Sequence, residues 1–185
     1  MRWDALFDDL AAQAQSLERA ERAARIEERT RAEFGDLALL DRVRTAVGAR
    51  LRVQTSAGGT LGGTLTRWGG DWLLLAEDGG AEVLVALAAV VTIGGLPPAA
   101  AVPGTVDAVT ARLGLRSVLR RLARDRAPVR LLLAGGASVD AVIDRVGSDF
   151  LEAAVVAPGE ARRAAAVRGV QIVPTAALAA VRRFA

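Results

Sequence analysis

The stretch LGGTLTRWGGDWLLLA (Leu61–Ala76) has a weaker copy, VDAVIDRVGSDFLEAA, at Val139–Ala154. Setting Leu51 on Val129 and continuing without a gap puts Val53 on Leu131, Leu65 on Ile143, Arg67 on Arg145 and Gly69 on Gly147. Asp71 then meets Asp149, and Trp72 meets Phe150. After a longer second hairpin, APGEARRAAAVRG, the match resumes with VALAAVVTI (85–93) on VPTAALAAV (173–181). The residues ahead of each copy also correspond, Phe34-Gly35 with Leu113-Gly114. Such an internal duplication demands two like units in one chain. Each unit alone buries little surface, so the two are expected to pack against each other.

From Arg50 the apolar pattern has the short period of strands. LRVQT, TLGGTLTRW, DWLLLAE, AEVLVAL and AVVTI are separated by AGG, GG and EDGG, which are turn signals. Five short strands in so few residues predict a strongly bent sheet closed into a small barrel. Gly58, Gly59, Gly62 and Gly63 fall near the start of the second strand, where a bend or bulge belongs. Gly69-Gly70-Asp71 and Gly147-Ser148-Asp149 read as tight hairpin turns. In that reading glycine is there because it can take a positive φ, the Asp can accept N–H bonds from its own turn, and the aromatic that follows faces the core or the barrel end.

The first thirty-odd residues predict a helix, with Leu6, Leu10, Ala14 and Leu17 on one face and Trp3 and Phe7 on its flank. Glu18–Arg22, Glu21–Arg25 and Glu27–Arg31 are spaced as i,i+4 ion pairs. A shorter helix is expected over Asp36–Val47. The resulting organisation is a helical arm (1–33), a first barrel with its leading helix (34–96), a Pro/Ala linker (97–110) and a second barrel with its leading helix (111–185). The fold class is α+β, mainly β.

Composition narrows the chemistry. Cys, His and Tyr are all absent, so disulfides, thiolate or imidazole metal sites and the commonest acid/base group are excluded. Neither Asp71 nor Asp149 has a second carboxylate at catalytic spacing. AGGTLGG lacks the Gly-Lys-Ser/Thr of a phosphate loop, and the chain has no Lys to complete one. The glycines of LLLAGGASVDA lead into a strand rather than a helix, which argues against a dinucleotide site. No catalysis, cofactor or metal is expected. The N-terminus lacks the apolar core of a signal peptide, and no run reads as a spanning helix, so a cytoplasmic protein is expected.

The net charge of +3 is unevenly divided. Residues 1–96 hold 11 Arg against 14 acids, whereas residues 97–185 hold 13 Arg against 7. Exclusive use of Arg beside abundant Ala and Gly fits a GC-rich genome of actinobacterial type. Its placement still marks the second half as the side for an acidic partner. LRSVLRRLARDRAPVR (Leu115–Arg130) predicts an amphipathic helix. Arg116, Arg120, Arg121 and Arg124 on its polar face are candidate phosphate contacts, and Arg162, Arg163 and Arg168 in the longer hairpin form a looser cluster. A helix-turn-helix is excluded because this helix runs straight into strands. Trp68 and Trp72 are expected in the core. Trp3, Leu6, Phe7 and Leu10 on the N-terminal helix are candidate contacts for a protein partner.

A helix followed by five strands, with a Gly-x-Leu step on the second strand and Val173-Pro174-Thr175 at the corner before the last, resembles the Sm-like (LSm/Hfq-type) and wider SH3-like small barrels. The likeness covers about residues 36–93 and 115–183. It implies two barrels, edge-to-edge self-association through the last two strands, and RNA as partner. Leu73-Leu74 and Leu151-Glu152 stand where typical Sm proteins carry an Asn after the acidic turn. The resemblance therefore implies the shape of those proteins without their uridine pocket.

Overall fold

The computed structural model describes residues 3–98 and 113–184. They fall into two units, Met1–Ala38 and Leu39–Ala185. The first unit is α1 (Trp3–Gly35), whose period ends at Gly35. Its three expected i,i+4 pairs form, with N–O distances of 3.4 Å for Arg22–Glu18, 3.2 Å for Arg25–Glu21 and 3.7 Å for Arg31–Glu27. All are solvated, so each contributes a few tenths of a kcal/mol, about 0.3–0.5.

The second unit is mainly β. It opens with α2 (Leu39–Arg44), followed by β1 (Arg50–Thr55), β2 (Thr60–Trp68), β3 (Trp72–Ala76), β4 (Glu82–Ala86) and β5 (Val90–Gly94). Beyond the undescribed residues come α3 (Leu115–Asp125), β6 (Pro128–Leu133), β7 (Ser138–Val146), β8 (Phe150–Val155), β9 (Gly169–Pro174) and β10 (Leu178–Arg183). The ten strands make one antiparallel sheet in the order β5-β1-β2-β3-β4-β10-β6-β7-β8-β9. Within each half the order is the same: last strand, then first to fourth. Even the irregularities repeat, since β2 slips against β3 between Leu65 and Arg67, and β7 slips against β8 between Ile143 and Arg145.

The halves meet where β4 pairs with β10, with Val85 opposite Ala180, Leu84 opposite Val181, Val83 opposite Arg182 and Glu82 opposite Arg183. Their cores interpenetrate there. Ala180 is buried among first-half residues such as Leu51, Leu73 and Val85, while Trp72, Leu84 and Ala86 are buried with Leu119, Leu131 and Ile143. Arg182 spans the seam to Glu77 at 2.8 Å. Two small sheets thus share their burial, as their size requires.

One helix boundary differs from expectation. The helix predicted over Asp36–Val47 is confined to Leu39–Arg44, because the chain then tightens to an i+3 bond (Ala46 N–H to Val43 O, 2.9 Å) and turns at Gly48 with φ +87°. The arginine-rich helix ends at Asp125, ahead of the strand that the copy begins at Val129. Arg126 takes the left-handed conformation (φ 51°) of a C-terminal cap, and Pro128 lies just beyond. Arg130 is therefore a strand residue, paired with Asp140 at 2.8 Å.

The repeated turns also differ from expectation in their physics. Neither Gly69 nor Gly147 has a positive φ. A Cβ on Gly69 would overlap the Trp72 indole, and one on Gly147 would overlap the Phe150 ring. Glycine is needed for space, since the aromatic three residues later folds back over its Cα. Most of the 97–110 linker lies outside the described residues. Pro97 O accepts a 2.8 Å bond from Arg42, which holds the end of the first half against α2. Among the described residues, no helix is long and apolar enough to cross a membrane.

Candidate nucleic-acid interface

The second half begins by docking on the turn of the first. Trp72 Nε1 donates to Leu113 O at 2.6 Å, and Leu115 N donates to Asp71 Oδ1 at 2.6 Å. Asp71 thus satisfies a free amide in the first turn of α3, 44 residues away, instead of its own turn. Its carbonyl meanwhile accepts from Leu87 N at 2.9 Å, as that of Asp149 accepts from Thr175 N at 2.7 Å. From that anchor Leu115, Leu119 and Ala123, at i, i+4 and i+8, sink into the shared core.

Between the polar side of α3 and the face of β2, β3, β4 and β10 runs a groove of about 740 Å³. Its floor includes the half-buried Leu74, Val118 and Leu122. Arg120, Arg121 and Arg124 line it from the helix, Arg67 from β2 and Arg183 from β10, against the acids Glu82 and Asp125. All five arginines are exposed, and none makes a side-chain ion pair or hydrogen bond among the described residues. The groove is a cationic channel with partly apolar walls.

Other arginines are already engaged. Arg162 and Arg126 converge on Asp144, at 2.6 and 2.5 Å, which fastens the longer hairpin to β7. Arg50 forks onto Asp78, and that exposed guanidinium holds the Asp78 carboxyl below its ordinary range through its hydrogen bonds and then its charge. The same two effects raise Arg50 and, from Asp140, Arg130. Arg44 lies over the Trp68 ring, 5.4 Å from its centre, and bonds the buried Asp41 at 3.3 Å.

Of the residues expected to contact nucleic acid, the structure brings Arg120, Arg121 and Arg124 together in the groove. Arg116 lies outside its lining and reaches Ser148 O at 3.4 Å, and Arg162 serves its own hairpin. Arg163 and Arg168 are exposed and also lie outside the groove lining. Arg67 and Arg183 were missing from the expected set. Arg67 sits beside the slip in β2, a feature of strand pairing that the residues alone do not mark. Arg183 joins the groove only through the β4–β10 pairing. On α1, Phe7 and Leu10 are 62% and 50% exposed, and the side chains of Trp3 and Leu6 lie outside the described residues.

No family model, curated protein or solved structure matches this chain.

Proposed function

We propose that this chain is a non-catalytic RNA-binding regulatory protein, built from two Sm/SH3-like small barrels, that holds single-stranded RNA in the groove beside α3. The observation that carries the reading is the convergence of Arg67, Arg120, Arg121, Arg124 and Arg183 on one channel without protein partners among the described residues. Phosphates would supply those partners, and the half-buried Leu74, Val118 and Leu122 offer an apolar floor to bases that are not paired. A duplex reader would present a helix to a groove of DNA, whereas α3 buries one side in the core and lines the channel with its arginines. The strand order in each half, with its leading helix, supports the small-barrel part of the reading.

Titration of a fluorescent single-stranded RNA over a range of salt tests the proposal. Replacing Arg120, Arg121 and Arg124 together by Ala should weaken binding at low salt and reduce the slope of log affinity against log salt by about 2. Undetectable binding of the unaltered protein at low salt rejects the reading.

A second reading is an adaptor that captures a protein through α1. It is favoured by Phe7, Leu10 and Leu17, all at least half exposed on that helix. Deletion of residues 1–33 should then abolish partner capture, and an unchanged pull-down profile counts against it.

A further inference from the structure

The groove beside α3 holds two carboxylates that its arginines leave alone. Glu82 and Asp125 line it with the five unpartnered arginines, yet neither acid makes a side-chain ion pair or hydrogen bond among the described residues. Glu82 stands directly opposite Arg183 in the β4–β10 register. Arg130 and Asp140 hold the same opposite positions on β6 and β7, and they join at 2.8 Å. Left open, Glu82 and Arg183 keep an acceptor and a donor for a ligand that brings both.

Strand register shows what surrounds them. Directly opposite residues of an antiparallel pair share a face, as do residues two apart on one strand. Leu74, Leu84 and Val181 therefore form one apolar row across β3, β4 and β10, and Ala76, Glu82 and Arg183 form the next. In that second row Ala76 is small, and Glu82 and Arg183 are exposed. A carboxylate and a guanidinium thus stand side by side at the margin of an apolar floor.

Unpaired bases are told apart by the order of donors and acceptors along their pairing edge. Guanine shows two adjacent donors, the N2 amino group and N1–H, and then the O6 acceptor. Uracil has one donor between two acceptors, cytosine two acceptors beside one donor, and adenine one acceptor beside one donor. An ionised carboxylate only accepts, through two oxygens, and a guanidinium only donates. Together they complement the edge of guanine and of no other standard base.

We propose that Glu82 makes the groove selective for guanosine. Its carboxylate takes N1–H and an N2 hydrogen of one unpaired guanine, Arg183 donates to O6, and the ring lies against the row that contains Leu74. The flanking phosphates go to Arg120, Arg121 and Arg124. This inference deepens the single-strand reading of the groove and rests on it.

Fluorescence titration with a short uridine strand carrying a central guanosine, adenosine or inosine tests the assignment. The unaltered protein should prefer guanosine to adenosine by about tenfold, with inosine between them because it lacks the N2 amino group. Glu82→Gln should bring that preference close to unity, since an amide offers one acceptor and one donor. Asp125→Asn removes the same charge and should leave the preference intact, while both variants tighten binding of every strand modestly. Both positions are exposed, and loss of fold would weaken all strands alike instead of changing their order. Arg183→Ala is an independent arm, which should lower the guanosine preference together with overall affinity. Free guanosine monophosphate, with the same base edge and a single phosphate, should compete only at much higher concentration. Equal binding of the strands by the unaltered protein, or a preference that survives Glu82→Gln, overturns the assignment and leaves the single-strand reading standing. Absence of binding to any strand at low salt overturns both. Displacement by the monophosphate at equal concentration makes a free nucleotide the ligand and also overturns both.

Discussion

The two halves of the sheet share strand order, slips and a Gly-x-Asp-aromatic turn, yet they live in different surroundings. In the first half the turn holds the start of α3, and β4 is covered by β10. In the second half the corresponding turn and strand are open. Equivalent residues therefore have unequal energetic weight, and what sets that weight is occupancy by a neighbour rather than local sequence.

The largest expected contrast is between Leu84 and Ile172. Leu84→Ala should cost about 2–5 kcal/mol, because it empties a packed seam. Its counterpart Ile172 on β9 is 67% exposed, so Ile172→Ala should change the stability of the single chain by less than about 0.5 kcal/mol. Urea unfolding at a concentration where the chain is monomeric measures both, and equal losses would break the comparison. The glycines come next. Gly69→Ala should cost about 1–3 kcal/mol, because the Trp72 ring that it meets is tied to Leu113 O. Gly147→Ala should cost less, because Phe150 has no such tether and can shift. Melting temperatures of the two variants give the order.

Asp71→Ala should cost about 1 kcal/mol through loss of the α3 cap, and Asp149→Ala only a few tenths, roughly 0.5 or less. Protection of the Leu115 amide from hydrogen exchange should fall in the first variant alone. The smallest effect belongs to the solvated Arg50–Asp78 pair. Its Asp78 carboxyl is depressed in the folded state, so its contribution is present above the unfolded-state value. It is lost as pH falls through the lower folded value. Asp78→Asn should therefore narrow the stability difference between neutral and strongly acid pH slightly, and a widened difference would reverse the assignment.

Much of this architecture was legible in the residues. The strand period, the turn signals and the gap-free copy at 129–153 located all ten strands, because alternation and glycine punctuation act locally. The helix ends were less legible. Arg126 as a left-handed cap, and the pairing of Arg130 with Asp140, depend on where the sheet receives the chain. The groove was half legible: Arg120, Arg121 and Arg124 follow from helical spacing, whereas Arg67 joins them only because α3 docks beside the first-half sheet, and Arg183 only through the β4–β10 pairing. The role of Asp71 was illegible for the same reason, since its partner amide lies 44 residues away on the other half.

The covalent joining of two five-strand sets makes the β4–β10 seam a contact within one chain, so the stability it contributes does not vary with protein concentration.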